Sequence, residues 1–153
     1  MQVGDTAPDF ELTDLDGQTR RLTDLLAEGP VIVYFYPADF TGVCTRQACM
    51  FRDRSEDLNA RGVQVVGVSP QDMESHGRFQ REHGLPFPLV ADTDKSLVRA
   101  YGVNGPMGIG VRRVSFLVGQ DGVIQSVVRA DLSVGPHQAL VDRLLEQSGD
   151  EPN

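Results

Sequence analysis

The chain has only two cysteines, Cys44 and Cys49, and they lie five residues apart in one segment. An apolar run at 31–36 precedes them and indicates a buried strand, while the segment itself opens a stretch typical of a helix. We therefore expect Cys44 in the first turn of a helix, where unpaired N–H groups and the helix dipole favour an anion. Because the thiolate is the reactive form of cysteine, this placement predicts nucleophilic or redox thiol chemistry.

A second interpretation of Cys44 stays open at this point. Most free cysteines are small buried hydrophobes, and Cys44 shares one helical stripe with Ala48, Phe51 and Leu58. The stripe alone fits a structural role as well as a reactive one. The position of Cys44 at the helix start favours reactivity.

Cys49 lies about 140° around the same helix from Cys44, since each residue turns the helix by about 100°. Its face is polar and carries Arg52, Asp53 and Glu56. A free cysteine on a polar face is unusual, because cysteines without a partner are mostly buried. The pattern indicates that a thiol is required there.

An intact helix does not allow a disulfide between the two cysteines. Five residues of helix rise about 7.5 Å, whereas Cα atoms joined by a disulfide stay within about 7 Å. A bond between Cys44 and Cys49 therefore requires the first helical turns to unwind. The spacing predicts redox-linked local unfolding rather than a permanent structural disulfide.

Hydrophobic periodicity and turn residues predict the elements that position this segment. In chain order they are a hairpin over 8–22, a short helix capped by Thr23 or Asp24 and running through Leu26, a strand at 31–36, a helix at 42–61, a strand at 63–69, a helix from Ser69-Pro70 to His83, a strand within 86–91, a helix at 95–101, a glycine-rich loop at 102–112, a hairpin of 114–118 and 123–129, and a last helix from Gly135-Pro136.

Alternating strands and helices favour an α/β sheet covered on both faces. A closing hairpin and helix after a βαβ unit is the thioredoxin-like arrangement. We therefore predict a thioredoxin-like fold with an N-terminal β-hairpin extension and a central mixed sheet flanked by helices. Residues 1–153 are expected to form a single domain, with 148–153 as a frayed polar tail.

Composition excludes several classes of function. A net charge of −8 disfavours binding to nucleic acid or to an anionic membrane surface. No apolar run approaches the roughly 18 residues of a membrane span, and the first residues lack the pattern of a signal peptide. We expect a cytoplasmic protein whose two cysteines serve catalysis or redox sensing rather than a disulfide scaffold.

Other candidate sites are weak. His76 and His83 lie seven residues apart, about 10.5 Å along a helix, which is too far to share a metal ion. We expect them, and His137 near the start of the last helix, to be packed or surface side chains, with His137 at the surface. Asp92 and Asp94 fit helix capping better than cation binding. The glycines of the 102–110 loop fit a mobile flap better than a phosphate site, so we predict neither a metal nor a cofactor.

The spacing Pro37-x-x-x-Thr41-x-x-Cys44 resembles the peroxidatic signature of the peroxiredoxins. Ala7-Pro-Asp-Phe-Glu-Leu12 and Arg113-Val-Ser-Phe-Leu-Val118 are also similar to peroxiredoxin segments, and the resemblance covers about residues 3–147. A second cysteine five positions on is similar to the bacterioferritin-comigratory-protein (PrxQ) branch. No cysteine lies near the C-terminus, so the two-cysteine mechanism that crosses between subunits is absent.

The resemblance implies a role for each matching residue. Cys44 would be the peroxidatic cysteine and Cys49 the resolving one. Thr41 would hydrogen-bond the peroxide and the thiolate, and Pro37 would shield the sulfur from water. Arg113 would stabilise the thiolate and the developing charge. Gln47 would orient that arginine.

Residues 112 and 113 are both arginine, and in strand geometry they point to opposite faces, so only one reaches Cys44. The resemblance selects Arg113.

The implied function is a thiol peroxidase that reduces hydrogen peroxide and organic hydroperoxides through an intramolecular disulfide. Thioredoxin or a similar dithiol would restore the thiols, and the role would be antioxidant defence and redox homeostasis. The acidic composition and few aromatic residues favour a monomer. Two alternatives remain open: a peroxide sensor that relays oxidation to a partner, and a thioredoxin-fold copper chaperone, whose cysteines are three rather than five positions apart.

Overall fold

The computed structural model describes residues 1–150, and the side chains of residues 1–146. Its strands are β1 (Glu11–Thr13), β2 (Thr19–Arg21), β3 (Val31–Phe35), β4 (Gln64–Ser69), β5 (Leu89–Ala91), β6 (Val114–Val118) and β7 (Ile124–Arg129). Its helices are α1 (Leu22–Glu28), α2 (Gly42–Asp53), α3 (Ser55–Ala60), α4 (Met73–His83), α5 (Ser96–Ala100) and α6 (Gly135–Asp150), with a 3-10 turn at Pro106–Gly108.

A five-stranded mixed sheet in the order β5-β4-β3-β6-β7 forms the centre of the fold. β3 pairs parallel with β4 and antiparallel with β6, while β1 and β2 form the separate N-terminal hairpin. Every residue of β3 is buried, because helices or loops cover both faces of a central strand. The predicted thioredoxin-like arrangement with an N-terminal hairpin is confirmed.

The alternating side chains of β3 divide the interior into two apolar clusters. Val31, Val33 and Phe35 enter one cluster, whereas Ile32 and Tyr34 enter the other. Helix α2 packs on the second face, where the ring of its Phe51 stacks on Tyr34 with 4.6 Å between centroids. This packing places the start of α2 directly after the carboxyl end of β3.

The predicted helix over 42–61 is interrupted. Helix α2 ends at Asp53 and α3 begins at Ser55, with Arg54 between them at φ −100° and ψ 0°. The Ser55 hydroxyl donates to the Arg52 carbonyl at 2.8 Å, which offers that carbonyl a partner outside the regular ladder. The interruption leaves the apolar stripe intact, since Leu58 of α3 is fully buried.

Two predicted helix starts were wrong. Helix α4 begins at Met73 rather than at Ser69-Pro70, because the Asp72 side chain caps it by accepting from Ser75 N at 2.8 Å. Helix α1 begins at Leu22 after Arg21, and Asp24 lies within its first turn and accepts from the Arg21 amide at 2.9 Å.

The predicted frayed tail over 148–153 falls at the end of α6. The helix is described to Asp150, and residues 151–153 lie outside the described residues. The tail and the single-domain organisation stay predictions. Within residues 1–150, no helix combines the length and the apolar character that crossing a bilayer requires.

Gly29 provides a test of how closely the turn between α1 and β3 approaches the turn between α3 and β4. A Cβ at this position would lie 2.0 Å from the carbonyl oxygen of Gly62, in the turn after α3. We expect Gly29→Ala to lower the free energy of unfolding by about 2–3 kcal/mol through overpacking. Urea denaturation measures this. Gly135→Ala, whose Cβ would meet nothing within 4 Å, is the control, and equal losses in the two variants would contradict the prediction.

Candidate active site

Cys44 lies in the first turn of α2 with its side chain turned into the core. Thr41 is the N-cap residue, with extended backbone angles, and its carbonyl accepts the Thr45 amide at 2.8 Å. Cys44 is only 1% exposed. The sulfur is therefore enclosed at the positive end of a twelve-residue helix.

Arg113 contacts this sulfur directly. Its Nη2 donates to Cys44 Sγ at 3.2 Å, although 69 residues separate the two in the chain. Arg113 lies just before β6, is 4% exposed, and offers a guanidinium that stays charged. A fixed cation beside the sulfur is a partner that reactive cysteines commonly have.

The guanidinium of Arg113 is held from two further directions. Nη1 donates to Gln47 Oε1 at 2.7 Å, and Nε donates to the Asp131 carbonyl at 3.1 Å. The Arg113 amide also donates to Asp131 Oδ1 at 3.0 Å. Each edge of the fork is thereby occupied, and the orientation of Nη2 toward Cys44 is fixed.

Arg112 points the other way. It is exposed, and its Nη2 donates to Asp131 Oδ2 at 2.9 Å. Hydrogen bonds from Arg112 and from the Arg113 amide hold the pKa of Asp131 below its usual value. Asp131 thus binds both arginines, and Arg113 is the one that reaches Cys44.

Gln47 lies one turn after Cys44 and is completely buried. Its Oε1 binds Arg113, whereas its Nε2 is buried without a hydrogen-bond partner among the described residues. A buried amide N–H without a partner is costly, and it is available to an acceptor that enters the site.

Thr41 and Pro37 lie on the exposed side of the segment. The Thr41 hydroxyl donates to the Ala38 carbonyl at 3.1 Å, which leaves its oxygen lone pairs free. Pro37 borders a cavity of about 350 Å³ together with the glycine-rich loop, and the lining comprises Pro37, Gly105, Pro106, Ile109, Gly110, Val111, Arg112, Asp131 and Leu132. The structure thus brings Cys44, Gln47 and Arg113 together and places Thr41 and Pro37 in the adjoining segment.

Cys49 lies on a different face of α2 and is half-buried. Its Sγ is 4.0 Å from His83 Nδ1 at the end of α4. Both cysteines are free thiols, consistent with a helix that holds them apart.

Sequence reasoning missed a buried ionic cluster just before Thr41. Asp39 is 5% exposed and accepts hydrogen bonds at 2.7 Å from Tyr36 Oη, Ser75 Oγ and His76 Nδ1. His76 Nε2 faces the Val90 carbonyl at 3.0 Å. Because a carbonyl only accepts, both ring nitrogens of His76 donate and the ring pairs with Asp39 as a cation.

This cluster anchors the segment between β3 and α2 to helix α4. Burial raises the pKa of Asp39, but hydrogen bonds from His76, Ser75 and Tyr36 outweigh burial and bring the pKa below its usual value. The neighbouring Phe40 adopts a left-handed φ of 64°.

The Phe40 ring packs on Phe79 of α4 with 5.1 Å between centroids. Little in the sequence signalled the anchor, because Ser75 and His76 lie among polar residues such as Glu74 and Arg78.

His137 was expected at the surface, and this was wrong. The side chain is fully buried between α6 and the β6–β7 pair, with Nδ1 2.8 Å from Ser115 Oγ and Nε2 3.0 Å from the Ala130 carbonyl. Burial lowers the pKa of His137. The helix start at Gly135-Pro136 turns this first-turn side chain inward. Among the described residues, no three His, Cys, Asp or Glu side chains converge as metal ligands do.

Comparison with known proteins identifies the family to which this arrangement belongs. A family model described as AhpC/TSA family matches residues 3–127. The chain belongs to the AhpC/TSA family. Peroxiredoxin Bcp of Escherichia coli K12 is 36% identical over 154 residues, covering 97% of this chain and 98% of that protein. A putative peroxiredoxin of Mycobacterium tuberculosis H37Rv is 43% identical over 130 residues, covering 81% and 82%.

Solved AhpC/TSA-type structures agree with this. Peroxidoxin BcpB from Mycobacterium tuberculosis superposes with a TM-score of 0.86 at 33% identity, covering 96% of this chain and 97% of that one. A Xanthomonas campestris bacterioferritin comigratory protein, described with alkyl peroxide reduction activity, gives a TM-score of 0.79 at 28% identity, covering 92% of both chains. The predicted peroxiredoxin of the Bcp/PrxQ branch is confirmed.

The predicted activity class of this AhpC/TSA chain is confirmed as well. It is a thiol-dependent peroxidase, an oxidoreductase that acts on peroxide, with a thioredoxin-like reductant.

Asp39→Asn tests the buried anchor. At pH 7 we expect the variant to lose about 3–5 kcal/mol of unfolding free energy, because His76 then lacks its counter-ion. Since the pKa of Asp39 is lowered in the folded state, its stabilisation is present above pH 3.8 and is lost as the pH falls further. Urea denaturation at pH 7 and pH 3 should therefore show the two proteins converging in acid. Asp57→Asn at an exposed acid is the control, with about 0.5 kcal/mol or less expected.

Proposed function

We propose that Cys44 attacks the peroxide and that Cys49 resolves the product, in a cytoplasmic, monomeric enzyme that reduces hydrogen peroxide and organic hydroperoxides. The observation that carries this proposal is the 3.2 Å contact between Arg113 Nη2 and Cys44 Sγ, at the start of a helix. Cys49 has no comparable cation fixed on its sulfur by hydrogen bonds among the described residues.

In the first step the Cys44 thiolate attacks one peroxide oxygen in line with the O–O bond. The S–O bond forms as the O–O bond breaks, and the other oxygen takes up a proton and leaves as water or an alcohol. Negative charge grows on that oxygen, so donors already aimed at it lower the barrier. Arg113 and the N–H groups of the first turn of α2 are donors near the sulfur in space or in sequence, and the Thr41 hydroxyl joins them once it releases the Ala38 carbonyl.

The remaining residues support this step. Gln47 holds the arginine fork through its carbonyl oxygen, and its buried Nε2 supplies one more donor for an incoming oxygen. Pro37 borders the cavity that this segment forms with the glycine-rich loop. Because proline has no backbone N–H, it presents an apolar ring and no donor to water at that position. Organic hydroperoxides are included because apolar side chains, Ile109 and Leu132, line that cavity.

In the second step Cys49 attacks the sulfenic acid of Cys44, which requires α2 to open at its start. Met50 and Phe51 are buried, and Arg52 Nη1 donates to the His83 carbonyl at 2.8 Å, so the second half of α2 is fastened to the core and to α4. By contrast, among the described residues one side chain, Arg113, supplies the hydrogen bonds that hold the first turns to the core, to Cys44 Sγ and to Gln47 Oε1. We therefore infer that Cys44 moves toward Cys49 rather than the reverse.

A thioredoxin-like dithiol then reduces the disulfide by thiol–disulfide exchange. Because both cysteines belong to one helix, no second subunit is needed to close the cycle, which supports a monomer. Continuous turnover of this kind serves antioxidant defence, whereas a peroxide sensor would complete one oxidation and pass it to a partner.

A single turnover tests the assignment of the two cysteines. One equivalent of hydrogen peroxide should remove both thiols and lower the intact mass by about 2 Da without dimer formation. Cys49→Ser should instead retain one added oxygen on Cys44. Survival of both thiols for minutes in the wild type would contradict the proposal, and a disulfide formed without steady turnover in the presence of a thioredoxin system would favour the sensor.

Neighbouring arginines provide a matched test of the cation. We expect Arg113→Gln to slow the reaction of Cys44 with peroxide by about 100- to 1,000-fold, as for the loss of one preorganised donor. Arg112→Gln removes the same charge from the exposed face and should change the rate by less than about threefold. The measurement is the rate constant for peroxide consumption in rapid-quench experiments. Equal rate losses in the two variants would contradict the role assigned to Arg113.

A further inference from the structure

The second cysteine has a chemical partner that the first step does not use. Cys49 Sγ lies 4.0 Å from Nδ1 of His83, at the outer limit for a hydrogen bond from a thiol S–H to an imidazole nitrogen. We propose that His83 is the catalytic base of the resolving step and takes the proton from Cys49. This inference rests on the proposed role of Cys49 as the resolving cysteine.

The His83 ring is held in place from several sides. Arg52 Nη1 donates to the His83 carbonyl at 2.8 Å, and Gly84 ends the helix in the left-handed conformation at φ 58°. The ring packs edge-on against Phe79 with 5.1 Å between centroids and lies 6.5 Å from Phe40. His83 is half-buried, so it keeps contact with solvent while Nδ1 faces the sulfur.

The resolving step needs such a group. Only a thiolate attacks sulfur efficiently, yet an ordinary cysteine is thiolate to only a few per cent near neutral pH. Arg113 is occupied with Cys44, on another face of the helix. A base next to Cys49 takes up the thiol proton, so that Cys49 attacks the sulfenic acid as a thiolate.

The charged groups around Cys49 come mainly from its own helix. A cavity of about 420 Å³ opens beside the sulfur, and its lining comprises Arg46, Cys49, Met50, Asp53, Arg54, Val134 and Gln138. Helix α6 contributes no charge to this lining, and Arg54 is paired with Asp142 at 3.2 Å. His83 is the titratable group from α4 that contacts the sulfur, and an imidazole is the type of side chain that general-base catalysis uses most often.

The proton and electron balance of the step is simple. The Cys49 thiol gives its proton to His83 Nδ1, and the resulting thiolate attacks the Cys44 sulfur of the S–OH group. The S–S bond forms as the S–O bond breaks, and the departing hydroxide takes up a proton and leaves as water. Cys49 is oxidised and the sulfenic sulfur is reduced to the disulfide level, so no further oxidant is required.

The step also fits the movement inferred for α2. Cys49, Arg52 and His83 belong to the part of the structure that stays fastened while the first turns of α2 open. The Cys49–His83 contact is therefore kept until the Cys44 sulfur arrives. Because Cys49 and His83 are already in contact when the Cys44 sulfur arrives, the sulfenic acid is short-lived. A longer-lived sulfenic acid would be oxidised by further peroxide to a form that thiols do not reduce.

The test separates the two steps in single turnovers followed by acid quench and intact-mass analysis, since the chain has no tryptophan to report on the reaction. The variant is His83→Phe, which keeps an aromatic ring against Phe79 but cannot accept a proton. We expect formation of the sulfenic acid at the wild-type rate and conversion to the disulfide about 10- to 30-fold slower at pH 7, the factor set by the thiolate fraction of a free thiol.

Two further readouts separate proton transfer from packing. The rate of disulfide formation in His83→Phe should approach the wild-type rate above about pH 9, where the thiol ionises without a base. In His83→Ala, added imidazole should restore the rate in proportion to its unprotonated form. Glu82→Gln, at an exposed position in the same helical turn, is the control and should resolve at the wild-type rate.

The outcomes are distinct. Disulfide formation at the wild-type rate in His83→Phe would overturn the inference, and so would a slow rate that neither alkaline pH nor imidazole restores. If His83→Phe fails to fold, the same pH profile and imidazole rescue in His83→Gln or His83→Ala decide. Failure of wild-type Cys44 to oxidise would instead overturn the proposed function itself and leave the Cys49–His83 contact as packing.

Discussion

A buried guanidinium held against a buried sulfur is the contact on which the other features of the site depend. Arg113 is almost completely enclosed, so its charge must be compensated locally, and the fold supplies Cys44 Sγ, Gln47 Oε1 and the Asp131 carbonyl. Burial makes each of these interactions stronger than it would be in water. A buried cation is expensive without partners, so the contacts that stabilise the arginine also fix its position against the sulfur.

The proposed mechanism places two opposed demands on helix α2. For the peroxide reaction its first turn must be formed, because the helix N–H groups and the sulfur act together there. For disulfide formation that turn must open, because a helical rise of about 1.5 Å per residue keeps Cys44 and Cys49 apart. The helix is fastened unevenly: buried Phe51 and the Arg52–His83 bond hold its second half, while the hydrogen bonds that hold its start come from Arg113, the residue that contacts the Cys44 sulfur.

The sequence was most informative where structure follows from local pattern. The strands at 31–36, 63–69 and 114–118 agree with β3, β4 and β6 to within one residue, because each is a short apolar run bounded by turn residues. The placement of Cys44 at a helix start followed from the same reasoning. The choice of Arg113 over Arg112 needed the family resemblance, since strand geometry shows only that they face apart.

The features that escaped prediction join residues far apart in the chain. Asp39 and His76 are 37 positions apart and Ser115 and His137 are 22 apart, and no periodicity within one element relates such partners. The start of α4 was misplaced because Asp72, two residues after Pro70, outcompetes Ser69 as the cap. The break at Arg54 coincides with a serine hydroxyl bonded to the Arg52 carbonyl, and no glycine or proline marks it in the sequence.

The anchor at Asp39 and the Arg52–His83 bond have a joint consequence for recognition. They bracket α2 on both sides, so the proposed disulfide step would be confined to the dozen or so residues between them, with the sheet and the remaining helices unchanged. Reduced and oxidised molecules would then share almost the whole surface. A reductase would then distinguish the disulfide form from the dithiol form only through contacts with that one stretch of backbone. The difference that it recognises would be one of local shape rather than of charge or overall form.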